Sequence, residues 1–237
     1  MSTNNGIQLE KDIVNRNFNN HDVTKIYNMM NSQGIDTSSP MRRIGKYVPK
    51  WDSKKTEPKT DIITGCGKRI SVKLHGPVQL ASIGLDATQF HFATACRNLG
   101  LSIPQITAYN NQINKMLTRK NMPYRLRGEQ EYSNWYNNVR PTAQDSLEQM
   151  LSNYPGLKQE LVCLTLTGVN LFDNPDAQAD YILTPQKLKM LNPSYIKKVV
   201  NLVKIRFSQK GRGKVKGTDD RLREGSMRFD LNMKKIP

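Results

Sequence analysis

The stretch KTDIITGCGKRISVKLHGPVQL, residues 59–80, contains two short apolar runs, 61–64 and 69–74, on either side of Gly65-Cys66-Gly67-Lys68. β-Branched residues flanking a glycine-containing tetrapeptide predict a tight β-hairpin. In the second run Ile70, Val72 and Leu74 alternate with Arg69, Ser71 and Lys73. One face of that strand is therefore apolar, and the other carries polar groups able to converge. Gly76-Pro77 is expected to end the strand. A helix is expected from Gln79 to about Asn98, burying Leu80, Ile83, Phe90, Ala93 and Cys96, with Gly100 capping it.

Outward from the hairpin, residues 7–31 show helical spacing of apolar positions with a break at the Asn-rich NFNNHD. Residues 41–60 are basic, contain two prolines and read as an extended arm. On the other side, helices are expected over 104–121, 129–139 and 142–152, with Tyr132, Trp135 and Tyr136 in a helix core. Residues 157–167 suit either a helix or a buried strand. Tyr181–Leu183 reads as a short strand, and TPQKLKML, 184–191, as a helix start. Val199–Phe207 reads as a strand with Val203, Ile205 and Phe207 on one side and Leu202, Lys204, Arg206 and Ser208 on the other. These elements together predict a single α/β domain over 1–237, a small mixed sheet flanked by helices.

Charge narrows the partners. Thirty-six Lys and Arg against 20 Asp and Glu leave a formal net charge of +16, beyond what solubility requires and suited to a polyanion. Residues 197–237 hold 13 Lys or Arg against 4 Asp or Glu. With glycines at 211, 213, 217 and 225, that segment is expected to mould itself to a nucleic-acid backbone. No apolar run approaches the roughly 18 residues of a membrane span, and the first 30 residues lack the apolar core of a signal peptide. A cytosol-like compartment and no membrane partner are expected. Cys66, Cys96 and Cys163 form no CxxC pair and complete no zinc pattern with His21, His75 and His91, so reduced thiols are expected.

The hairpin also carries a constellation of chemical groups. Phosphodiester cleavage needs a cation to neutralise charge building on the phosphoryl oxygens and an activated, in-line water. Asp61 at a strand end can hold Mg²⁺, and Lys73 on the neighbouring strand can orient or help deprotonate the water. The same two residues also read as a cross-strand salt bridge. At Lys59-Thr60-Asp61, Arg69-Ile70-Ser71-Val72-Lys73 and Gln79-Leu80 the chain resembles the PD-(D/E)xK nuclease superfamily, the fold of type II restriction enzymes, and its phage-encoded members in particular. The clear resemblance covers about residues 58–82. It implies a restriction-endonuclease-like fold, Asp61 as metal-binding aspartate, Lys73 as catalytic lysine and the Val72 carbonyl as a metal ligand. Ser71 stands where the usual second acid would be, Gln79 would face the same pocket, and Glu10 in the first helix is the candidate supplementary acid. Mg²⁺ or Mn²⁺ would be the cofactor. DNA, in preference to RNA, would be the partner, with a homodimer admitted, in a host cytosol or a virion.

Phosphate and stacking contacts are expected from Arg42, Arg43, Lys46, Lys50, Trp51 and Lys54 in the arm, and from Lys204, Arg206, Lys210, Arg212, Lys214 and Lys216 near the end. Because Ser71 removes one negative charge, a second reading stands beside the first. In it the chain is a non-catalytic nucleic-acid-binding protein, a virion or packaging component, that keeps the fold as a clamp. A ribonucleoprotein component is a third.

Overall fold

A computed structural model describes residues 3–117, 125–214 and 221–237. Along the chain run α1 (Thr3–Val14), α2 (His21–Ser32), β1 (Arg42–Arg43), β2 (Ile62–Ile63), β3 (Arg69–Val72), β4 (Pro77–Ile83), α3 (Leu85–Asn98) and α4 (Ile103–Leu117). There follow β5 (Arg125–Arg127), α5 (Gly128–Asn134), a π-helical turn (Trp135–Val139), α6 (Arg140–Asn153), α7 (Leu157–Thr167), β6 (Tyr181–Leu183), β7 (Leu188–Met190), α8 (Pro193–Val199), β8 (Lys204–Lys214) and β9 (Arg221–Asn232). The architecture is mixed α/β. No helix among the described residues is long and apolar enough to cross a membrane.

The chain divides into two compact units. The first comprises 1–78, 162–203 and 231–237; the second comprises 79–161 and 204–230. In the first unit a five-stranded sheet runs in the order β1-β2-β3-β6-β7. β1, β2 and β3 pair antiparallel, β3 and β6 parallel, β6 and β7 antiparallel. The β2–β3 turn closes through Thr64, whose N–H donates to the Lys68 carbonyl and whose carbonyl accepts from Gly67 N–H. Gly67 sits at φ +81°, where an L side chain is strained. Ile62, Ile70 and Val72 join Tyr181, Leu183 and Leu188 in one apolar cluster with Leu9 and Ile13 of α1 and Val23, Ile26 and Met30 of α2. The alternation read from the sequence thus sends Ile70 and Val72 into the core. Leu74 only packs against that cluster, partly buried.

The second unit has a sheet in the order β4-β9-β5, with β8 also pairing to β9. Phe207 of β8, Met227 and Phe229 of β9, Phe92 and Cys96 of α3, Ile113 of α4, and Leu147 and Met150 of α6 are buried. Gln144 of α6 mimics a neighbouring strand. Its Oε1 accepts from Phe207 N–H at 3.1 Å and its Nε2 donates to the Ile205 carbonyl at 3.2 Å, covering backbone groups at a sheet edge that would otherwise be open to pairing.

Several expectations are corrected. Strand β3 already ends at Val72, before Gly76-Pro77; Pro77 instead opens strand β4 of the other sheet, and Gln79 lies on that strand, not at a helix start. Pairing with the distant β9 overrides the helical spacing of Leu80 and Ile83, and the helix begins at Leu85 after Gly84. Thr184 opens a turn instead of a helix: its Oγ1 accepts from the N–H groups of Gln186 and Lys187, reversing the chain into β7. The strand expected at Val199 begins at Lys204, after α8 and a 3₁₀ turn. The basic arm contains the edge strand β1 and the bridges Tyr47–Thr56 and Pro49–Phe172. Much of the glycine-containing C-terminal segment is the β8–β9 ribbon, in register from Lys204↔Asp230 to Gly211↔Arg223. Of the three helix aromatics, Trp135 is buried while Tyr136 is exposed. The ambiguous 157–167 stretch is helix α7, ended by Gly168 at φ +72°. All three cysteines are free thiols.

Ile70 is fully buried at the centre of the β2–β3–β6 pairing. Ile70→Ala removes three methyl-sized groups from that core and is expected to cost about 2–5 kcal/mol, read as a lowered urea midpoint with an unchanged denaturant slope.

Candidate active site

The hairpin brings its polar groups together in the first unit. Asp61 precedes β2; its N–H donates to the Ile70 carbonyl and its carbonyl accepts from Ile44 N–H. Its backbone is thereby fixed between β1 and β3. Asp61 Oδ2 accepts from Val72 N–H at 2.6 Å, from Lys73 Nζ at 3.2 Å and from Ser71 Oγ at 3.3 Å. Lys73 Nζ also donates to the Val72 carbonyl at 3.0 Å. Ser71 is buried, and the Asp61 and Lys73 side chains are only 22% and 23% exposed. The ion pair is therefore shielded from bulk water, where attraction between charges strengthens as the local dielectric falls.

Glu10 reaches the same neighbourhood from α1. Its carboxylate is held by Arg43 of β1, whose Nε and Nη2 donate to Glu10 Oε2 at 3.1 and 2.9 Å. Burial raises the Glu10 carboxyl above the ordinary range, and the negative charge of Asp61 raises it further, against the pull of Arg43 and Lys73. The two carboxylates thus feel each other. Lys59 completes the set, and sequence reasoning did not assign it a role. Its ammonium is pushed down to about 8 by burial, then by the positive charge of Lys73, with Asp61 opposing. The signal available was its position two residues before Asp61. Its side chain lies against Gly168, where an added Cβ would fall 2.8 Å from Lys59 Cγ.

The donor set fits a hard divalent cation. Asp61 Oδ1 accepts no hydrogen bond among the described residues, the Val72 carbonyl faces the same groups, and Glu10 supplies a second carboxylate that Asp61 repels. No group of three or more His, Cys, Asp or Glu gathers among the described residues. Any bound cation would therefore rest on two carboxylates, backbone oxygen and retained water, the mode Mg²⁺ favours.

The other expected residues are distributed differently. Gln79 belongs to the second unit, as do Lys204 and Arg206. Arg42 pairs with Asp176 at 2.7 Å, Lys46 with Glu57 at 3.5 Å and Lys50 with Asp173 at 3.1 Å. Trp51 is half-buried and meets Phe172 edge-on, with ring centroids 5.9 Å apart. Lys54 is exposed. Lys204 is exposed, and Arg206 pairs with Asp230 at 2.8 Å. Lys210, Arg212 and Lys214 lie on β8, but their side chains, and Lys216 altogether, fall outside the described residues.

The Lys59 shift has a definite sign. A lysine depressed from 10.5 to about 8 in the folded chain penalises folding fully below pH 8, and the penalty lifts as pH rises towards the unfolded value. Lys59→Met should therefore be stabilising relative to the parent below pH 8, with the difference in urea midpoint shrinking from pH 8 to 10. A pH-independent difference would rule out a charged, buried Lys59.

No family model matches this chain, and neither a curated protein nor a solved structure matches it.

Proposed function

We propose that the chain is a metal-dependent DNA endonuclease of the PD-(D/E)xK type, with a restriction-endonuclease-like fold in its first unit. The observation that carries this reading is the meeting of Asp61 and Lys73 at 3.2 Å beside the Val72 backbone, at the ends of adjoining strands. A plain surface salt bridge needs neither the Val72 N–H, the Ser71 hydroxyl nor a second carboxylate nearby.

A bound Mg²⁺ or Mn²⁺ would supply Lewis-acid stabilisation of the phosphoryl oxygens and lower the pKa of a water. Asp61, Glu10 and the Val72 carbonyl would hold it. Lys73, tied to Asp61 Oδ2 and the Val72 carbonyl, is positioned to orient the attacking water and to neutralise charge on the phosphate. Arg43 keeps Glu10 at the site by its two hydrogen bonds. Ser71 keeps Asp61 in place, offering a hydroxyl where a second acid would offer charge. DNA would be drawn by the basic surplus, through phosphate contacts that weaken as salt rises.

One observation favours the non-catalytic reading: Ser71 donates to Asp61 and adds no negative charge. A supercoiled-plasmid assay separates the two. The parent should nick with Mg²⁺ and stop in EDTA. Lys73→Ala should lower nicking about 10²–10⁴-fold, the usual worth of a positioned proton-transfer group, while DNA affinity stays near the parent's. Equal cutting by Lys73→Ala would sink the site, and salt-sensitive binding with no nicks under any metal would leave the clamp.

A further inference from the structure

The second unit contains a groove of about 640 Å³ between α6, the start of α7 and the first residues of β8, the size of a small-ligand cleft. Arg140, Lys158, Lys204 and Arg206 line it against a single acid, Glu148. Its walls are fastened to each other. Arg140 Nε donates to the Phe207 carbonyl at 3.3 Å, and Gln144 bonds the backbone of both Ile205 and Phe207. Arg206 is held by Asp230, which Arg228 shares. Among the described residues Lys158 and Lys204 form no ion pair, and Arg140 spends only its Nε.

Arg140 also belongs to an aromatic cluster. Its guanidinium lies 4.7 Å from the centroid of the Tyr136 ring. Tyr136 in turn is tilted 40° against Tyr132 at 5.9 Å. Tyr136 is 45% exposed and sits on the π-helical turn, while its neighbour Trp135 is buried. Such turns often mark functional positions. A cationic groove bordered by an exposed ring suits a polyanion whose flat bases are unpaired. A duplex keeps its bases stacked inside and asks only for cations.

We propose that this face of the second unit binds single-stranded DNA, with Arg140, Lys158 and Lys204 contacting successive phosphates and a base stacked on Tyr136. The choice of DNA rests on the endonuclease reading; the strandedness rests on the groove and its aromatic border.

The test is fluorescence anisotropy of a labelled oligothymidylate of about 15 nucleotides with the whole chain in EDTA, which removes cleavage from the measurement. Tyr136→Ala should weaken binding about five- to a hundred-fold and Tyr136→Phe should bind like the parent. The double variant Lys158→Ala, Lys204→Ala should flatten the salt dependence, its log–log slope falling by about 1.4. Unchanged urea midpoints for these substitutions confirm that folding is intact. Parent-like affinity of Tyr136→Ala, an unaltered slope, or equal competition by duplex of the same length overturns the proposal. Plasmid nicking without single-strand binding overturns it alone. Single-strand binding with these sensitivities but no nicking upholds it and removes only the endonuclease reading.

Discussion

The 2.6 Å hydrogen bond from Val72 N–H to Asp61 Oδ2 is the constraint around which the first unit's polar site is arranged. It ties the carboxylate at the start of β2 to the end of β3, in the same register that buries Ile62 opposite Ile70. A slip of one residue would turn Ile70 and Val72 to the polar side and Ser71 and Lys73 into the core. Core packing and site geometry therefore stand or fall together. The helices α1 and α2 that cover Ile70 and Val72 also deliver Glu10, because α1 turns Leu9 and Ile13 inward and leaves Glu10 beside Arg43.

Electrostatics within the site are nearly balanced. Asp61 and Glu10 repel, Lys59 and Lys73 repel, and each sign restrains the other. A cluster of four partly buried charges costs desolvation that a hydrophobic filling would avoid. The basic residues of the arm differ in character: Arg42, Lys46 and Lys50 each face a carboxylate at or near the surface, where an ion pair is worth little.

The hairpin was legible because local rules coincide there: β-branched runs, a glycine loop, and strict alternation from Arg69 to Lys73. Helices α1 and α2 and the glycine after α3 were legible for the same reason. What escaped depended on distant partners. Strand β4 forms because β9, more than 140 residues later, pairs with it; nothing within Pro77–Ile83 announces that. The C-terminal glycines suggested a pliable segment, yet Phe207, Met227 and Phe229 alternate into a core and hold a ribbon. The Asp61–Lys73 pair was foreseen, and Glu10 was named from its helix. Lys59 went unassigned because its depressed ammonium depends on burial, a property of the folded chain.

Paramagnetic broadening of backbone amide resonances by Mn²⁺ tests most directly whether Asp61 and Lys73 frame a cation site. Substoichiometric Mn²⁺ should selectively broaden the amides of Ser71, Val72 and Lys73, and Asp61→Asn should abolish the effect with the spectrum otherwise preserved. Broadening absent from these residues, or undiminished in Asp61→Asn, would contradict the account and leave a shielded salt bridge in its place.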